Sequence, residues 1–146
     1  MERITDILLT IRRMGKLHER CLAPICAKYQ LSQMEATIIS FLHNNPGLDT
    51  AGDISELRML PKGNISQGVE VLVQRALLAR CQDRADRRRI HLTLQPAAQP
   101  LIQEMEEAND RFVAQLFAGF SPEELAVFHA LNERIMQNTI RGLEGK

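Results

Sequence analysis

Residues 50–94 read TAGDISELRMLPKGNISQGVEVLVQRALLARCQDRADRRRIHLTL, and they predict two helices joined by a short turn and followed by a β-hairpin. Thr50 with Asp53 forms a capping box for a short helix over 51–58. Pro61 suits the first position of the next helix, because its missing N–H costs nothing there. The runs 77–81 and 89–94 predict two strands, since apolar and polar residues alternate in the second. The tip between them is Arg84-Ala85-Asp86-Arg87.

The second of these helices exposes polar side chains that suit DNA. In a helix-turn-helix, the second helix presents its N-terminal residues to the major groove, where Asn or Gln can pair with adenine. The candidate residues for this contact are Lys62, Asn64, Ser66 and Gln67. A polar helix face is also common where a helix is merely solvated, so this face alone does not establish a site.

The hairpin tip adds positive charge beside that helix. Its arginines are suited to the narrow minor groove of A·T tracts, and Arg75 is a further candidate for phosphate contact. The tip candidates are Arg84, Arg87 and Arg88. The alternative is a solvated tip in which Asp83 and Asp86 pair with the arginines at little net gain. The succession of turn, polar helix and basic hairpin favours the DNA-binding interpretation.

The flanking segments predict four more helices, so the fold class is mainly α with a small β-hairpin. An apolar face from Ile4 to Ile25 predicts a long first helix, in which Pro24 should cause a kink or an early end. Ser32 with Glu35 opens the second helix, and residues 121–124 cap the last one. The helix after the hairpin has apolar residues at coiled-coil-like spacing, namely Leu101, Met105, Ala108, Phe112 and Leu116.

Charge is unevenly distributed along a chain whose formal net charge is zero. Residues 51–95 carry eight basic and five acidic groups, whereas residues 96–146 carry four and eight. A neutral total can therefore hide a basic surface in the middle of the chain. Because 45% of residues are hydrophobic, a folded domain with a real core is expected rather than disorder.

Other function classes find little support in the sequence. No apolar run of about 18 residues and no signal-peptide core is present, so we expect a cytoplasmic protein with no membrane partner. The odd number of cysteines, without metal-type spacing, predicts neither a disulfide scaffold nor a metal site. Without a Gly-rich phosphate loop, paired catalytic carboxylates or a recognisable Cys–His arrangement, we expect no catalytic residues, no enzyme activity and no cofactor.

Two stretches resemble the MarR (multiple antibiotic resistance regulator) family. Residues 60–80 are similar to its recognition helix and the start of its wing, and residues 83–88 resemble its wing signature of aspartates and arginines. The resemblance implies that Asp86 braces the wing arginine that enters the minor groove. The chain departs from the family pattern at Pro24, at Gln67 in place of a basic residue, at Ala76 in place of glycine, and at Gln95 in place of threonine.

The resemblance implies one domain over 1–146, with dimerisation helices at 1–30 and 96–146 and a winged helix-turn-helix DNA-binding lobe at 31–95. A twofold homodimer would set two recognition helices about one DNA turn apart. A monomer with an ordinary core is the alternative. The family also implies a small aromatic effector or an oxidant sensed by cysteine. The candidates are His18, Cys21 and Cys26. The alternative is that the two cysteines are small buried hydrophobic residues and that His18 is a polar boundary residue.

The function predicted from the sequence is therefore a DNA-binding transcription regulator, a ligand- or oxidant-responsive repressor that binds a palindromic double-stranded operator as a homodimer. The alternative is a winged-helix module that binds proteins and has lost specific DNA binding. Zero net charge and the missing basic residue at Gln67 favour that alternative slightly.

Overall fold

A computed structural model describes residues 2–145, and its elements follow the predicted order. Six α-helices and one antiparallel hairpin account for most of these residues. The elements are α1 Arg3–Tyr29, α2 Gln33–Asn44, α3 Ala51–Arg58, α4 Lys62–Gln74, β1 Leu78–Gln82, β2 Ile90–Leu94, a 3₁₀ turn Pro96–Ala98, α5 Gln99–Leu116 and α6 Pro122–Glu144. The mainly α fold with a β-hairpin is confirmed.

Local capping signals place the helix starts. Full capping boxes are present at Ser32, Thr50 and Ser121, each with a hydroxyl that accepts from the third helical N–H. Such boxes satisfy two otherwise unpaired backbone donors, which is why these starts were predictable. Pro61 precedes α4 as its N-cap instead of occupying the first helical position.

Helix α1 does not end early at Pro24, which corrects that part of the sequence prediction. It continues to Tyr29 and ends at Gln30, whose φ is 53°. Pro24 lies on the exposed side of the helix, between the buried side chains of Leu22 and Ile25. The burial of Leu22 and Ile25 on either side of the proline stabilises the helix across the missing hydrogen bond.

The chain forms two compact units that divide between Phe112 and Val113. The first unit contains one hydrophobic core built from α1, α2, α3, α4, the hairpin and the first half of α5. The buried α5 residues are Leu101, Ile102, Met105 and Ala108. Three residues of the supposed coiled-coil seam therefore pack within their own chain. In α3, Ile54 is fully buried, whereas Leu57 is 56% exposed.

The second unit is built around α6 and the turn before it. Phe117 makes edge-on ring contacts with Phe120 and Phe128, at centroid distances of 5.5 and 5.0 Å. Within α6, all of whose residues are described, no side chain is buried. Large apolar side chains therefore remain exposed along this helix, including Val127, Leu131, Ile135, Met136, Ile140 and Leu143.

Candidate nucleic-acid interface

Helix α4 separates its residues into a buried face and an exposed polar face. Ile65, Val69 and Leu72 are buried in the core. The four side chains predicted to contact DNA are all exposed, and they are Lys62, Asn64, Ser66 and Gln67. The arrangement leaves them free for hydrogen bonds to base edges or phosphates.

Close approach between α4 and α2 requires a glycine at position 68. A Cβ atom built there would lie 2.6 Å from Cδ1 of Ile38 and 3.4 Å from Cγ of Met34. Ile38 is fully buried and has little freedom to move away. Gly68 therefore sets how deeply the helix seats on the lobe, and so how far its polar face projects.

The residue Ala76, just after α4, adopts a backbone conformation that usually favours glycine. Ala76 has a φ of 59°, in the left-handed region, and completes a Schellman motif at the end of the helix. In this motif Leu77 N–H donates to the Leu72 carbonyl at 3.0 Å and Ala76 N–H donates to the Val73 carbonyl at 3.0 Å. Here alanine adopts the conformation that the family's usual glycine favours.

The hairpin holds a seven-residue wing, 83–89, through hydrogen bonds to its own backbone. The strands pair from Leu78 with Leu94 to Gln82 with Ile90, and Asp83 N–H donates to the Arg89 carbonyl at 2.9 Å. The Asp83 carboxylate accepts from the N–H groups of Ala85 and Asp86, both at 2.9 Å. These bonds define the shape of the wing without using its arginine side chains.

The two wing aspartates do not neutralise the arginines. Asp86 accepts from the backbone N–H of Arg88 at 3.0 Å, so it contacts that residue's main chain and not its guanidinium. Among residues 2–145, no hydrogen bond or ion pair joins the guanidinium groups of Arg84, Arg87 or Arg88 to another group. Three exposed positive charges are therefore left for a ligand.

One surface groove brings the recognition helix and the wing together. It is lined by Thr50, Ala51, Gly52, Lys62, Asp86, Arg88, Arg89 and Ile90. Lys62, at the start of α4, thus borders the same groove as Arg88. Arg89 is a third basic residue here that the sequence analysis treated only as part of a strand.

His91, which the sequence analysis did not select, links the wing to the lobe. Its Nδ1 lies 2.7 Å from Oδ1 of Asp49, and its Nε2 lies 2.7 Å from Oδ1 of Asp83. The hydrogen bond to Asp83, then the one to Asp49, raises the pKa of His91. The same His91 bond and the two backbone N–H groups lower the pKa of Asp83 to about 2. No sequence pattern joins Asp49 to His91, because the contact spans 42 positions.

Arg75, the predicted phosphate contact, makes hydrogen bonds to the end of α1. Its Nη1 donates to the Gln30 carbonyl at 2.9 Å and its Nη2 to the Tyr29 carbonyl at 2.5 Å. Both carbonyls belong to the end of α1, which needs donor partners and favours a cation. Arg75 therefore joins the end of α4 to the end of α1, and its role as a phosphate contact stays a prediction.

The candidate effector residues lie on α1 and contact different neighbours. His18 Nε2 is 2.9 Å from Oδ1 of Asn109, and its ring meets Phe112 edge-on at 5.0 Å. Cys26 packs against the core, and burial followed by the charge of Glu35 raises the pKa of its thiol. A raised pKa lowers the thiolate fraction, which is the reactive form. Cys21 is half-buried.

Comparison with known proteins shows which family this arrangement resembles. Residues 29–89, which span the end of α1, the helix-turn-helix and the wing, match the model of the MarR family. Over this lobe the chain is similar to the MarR family. The MarR match confirms the resemblance drawn from residues 60–88, and it covers the lobe that carries the polar face of α4 and the wing arginines.

Relatives of known sequence or structure extend the likeness beyond the lobe. The chain is similar to YsmB of Bacillus subtilis strain 168, an uncharacterized HTH-type transcriptional regulator, with 23% identity over 88% of this chain and 87% of that one. It shares a fold with Bordetella bronchiseptica BpsR, whose DNA binding is regulated by 6-hydroxynicotinic acid. That match has a TM-score of 0.70 at 23% identity and covers 92% and 99% of the two chains. A MarR-family regulator from Silicibacter pomeroyi superposes with a TM-score of 0.78 at 19% identity, over 88% and 86%.

Neither a metal site nor a membrane-spanning helix is present among residues 2–145. No group of three or more His, Cys, Asp or Glu side chains is placed to hold a metal ion there. No helix in that range combines the length and apolar character needed to cross a membrane.

Proposed function

We propose that this chain is a MarR-family transcription regulator that binds a palindromic operator as a homodimer. The single observation that carries the proposal is the shared groove between Lys62 and Arg88, beside a wing whose aspartates are bound to backbone. Unneutralised cations at a helix start and a wing tip suit a polyanion whose grooves lie side by side. In this proposal Asn64, Ser66 and Gln67 read bases in the major groove.

The wing supplies the second groove contact in this proposal. Arg84, Arg87 and Arg88 project from a tip that is shaped by Asp83 and Asp86, so their side chains keep their charge and reach. We assign minor-groove insertion to Arg87 or Arg88. Asp86 then acts as a brace through the main chain of Arg88.

Exposed apolar faces support the homodimer. Ile4, Ile7, Leu8 and Ile11 of α1 are 57–59% exposed, and α6 exposes a comparable row. Contiguous apolar surface of this kind marks an interface more often than a free surface in a soluble protein. We propose that α1 and α6 each contribute to a twofold interface that fixes the spacing of the two recognition helices.

We further propose repression that is relieved by a small aromatic effector. BpsR, which has the same fold, responds to an aromatic acid. The raised pKa of Cys26 makes oxidation there a weaker alternative. His18 and Cys21 on α1 remain our candidates for the effector site.

Selection of bound sequences from random duplexes tests the operator proposal. We expect recovery of a palindrome with half-sites about one helical turn apart, because twofold symmetry places the two recognition helices on one face of the duplex. Recovery of sequences without symmetry would contradict the dimeric mode. A failure to retain any duplex at low salt would favour the protein-interaction alternative.

A further inference from the structure

His91 joins two segments that lie far apart in sequence and belong to different parts of the lobe. Asp49 comes directly before Thr50, the N-cap of α3, and its carbonyl also accepts from Leu92 N–H at 2.8 Å. Asp83 begins the wing. The His91 ring therefore connects the start of the helix-turn-helix to the base of the wing.

Both ring nitrogens of His91 face carboxylate oxygens. Asp49 and Asp83 each present an oxygen at 2.7 Å, and an ionised carboxylate can only accept hydrogen bonds. A neutral imidazole has one N–H, so it would turn a lone pair toward one of the two aspartates. Both bonds can form together only when the ring carries two N–H groups, which is the imidazolium form.

We propose that His91, as an imidazolium clamped between Asp49 and Asp83, is a positioning residue that fixes the wing for DNA contact. The proposal rests on the proposed function, because it concerns how the same wing is aimed. When the ring is neutral, one of the two bonds is lost, so the His91 side chain no longer ties the wing to the start of α3, and the backbone bond from Leu92 to Asp49 remains. The arginines keep their charge in that state but lose their fixed direction.

The charged groups around the ring set the direction of the pH effect. The wing supplies Asp83 and the loop before α3 supplies Asp49; Cys81 lies opposite His91 in the strand register, and Arg89 lies two residues before it. The two carboxylates raise the pKa of His91 above its ordinary 6.5. The clamp is therefore complete below pH 6.5 and is lost as the pH rises through the raised pKa. DNA affinity should follow the same course.

In the variant Asp83→Asn, His91 can keep both of its hydrogen bonds without a charge on its ring. One Asp83 oxygen accepts from both Ala85 and Asp86 N–H groups, while the other faces His91. An asparagine can keep its carbonyl on the backbone donors and place its NH₂ toward Nε2. A neutral His91 then accepts from the introduced amide and donates from Nδ1 to Asp49, so both bonds persist at high pH.

The test measures binding to a fluorescent duplex about three helical turns long with a central A·T tract, at low salt, from about pH 6 to pH 9. For the wild type we expect affinity to fall about tenfold as pH rises. For His91→Ala we expect weak binding at every pH, and for Asp83→Asn tight binding with little pH dependence. His43→Gln, which alters another surface histidine–carboxylate pair, should keep the wild-type pH dependence.

A variant without two of the wing arginines separates a positioning role of His91 from general damage to the fold. In Arg87→Ala/Arg88→Ala, adding His91→Ala should cost little further DNA affinity, because the two arginines that the clamp would position are already absent. A full additional loss there would overturn the proposal, as would wild-type binding and pH dependence in His91→Ala. If the wild type itself shows no salt-dependent binding to the duplex, the proposed function fails, and the clamp fails with it for that separate reason.

Discussion

Replacing Gly68 by alanine should weaken the packing of α4 against α2 and lower the free energy of unfolding. The new Cβ would lie 2.6 Å from Cδ1 of the fully buried Ile38, which is closer than real carbon atoms approach. Overpacking of this kind costs about 1–3 kcal/mol. Alanine recovers up to about 1 kcal/mol through its better helix propensity. The net expectation is a loss of about 1–2 kcal/mol in the free energy of unfolding.

Thermal and urea denaturation followed by far-UV circular dichroism measures this loss. For a chain of this length we expect a melting temperature lower by about 3–6 °C, at a fixed protein concentration. Gly63→Ala is the matched control, because a Cβ there meets no atom within 4 Å. It should leave stability unchanged or raise it by up to about 0.5 kcal/mol. If Gly68→Ala is as stable as Gly63→Ala, the close approach between α2 and α4 is refuted.

Three further predictions concern the end of α4, the wing and the dimer. Ala76→Gly should raise the free energy of unfolding by about 0.5–1 kcal/mol, because it removes about 1–2 kcal/mol of left-handed strain and adds less than that in unfolded-state entropy; an unchanged urea midpoint would speak against this strain. Arg88→Ala should weaken operator binding by about 1–3 kcal/mol while leaving the dimer intact, and unchanged affinity in a gel-shift titration would count against the wing role. Leu131→Glu places a charge on the exposed face of α6, where the side chain is 49% exposed, and should shift sedimentation toward a monomer; a dimer of wild-type strength would remove α6 from the interface.

Elements governed by local chemistry could be predicted from the sequence. The capping boxes at Ser32, Thr50 and Ser121 fixed three helix starts, because each depends on side chains only three residues apart. The hairpin followed from alternation in residues 89–94 and from the polar tip.

Features that depend on contacts between distant segments could not be predicted. Arg75 looked like a free cation, but folding brings it to the end of α1, 45 positions away. His91 looked like the outward residue of a strand, and only the folded lobe places Asp49 beside it. Pro24 was expected to disturb α1 because helix propensity considers each residue alone. It does not include the stabilisation from the burial of Leu22 and Ile25 in the folded chain. The α5 seam was misread because its spacing fits a chain's own core as well as a partner helix.

The salt dependence of duplex binding tests the central claim most directly, since the claim is that Lys62 and the wing cations contact phosphates. The observed binding constant should fall steeply with salt, by about 0.9 logarithmic units per tenfold salt for each phosphate neutralised. Lys62→Ala should reduce that slope by about one per protomer, hence about two for a dimer. Binding that is insensitive to salt, or a slope unchanged in Lys62→Ala, would contradict the account.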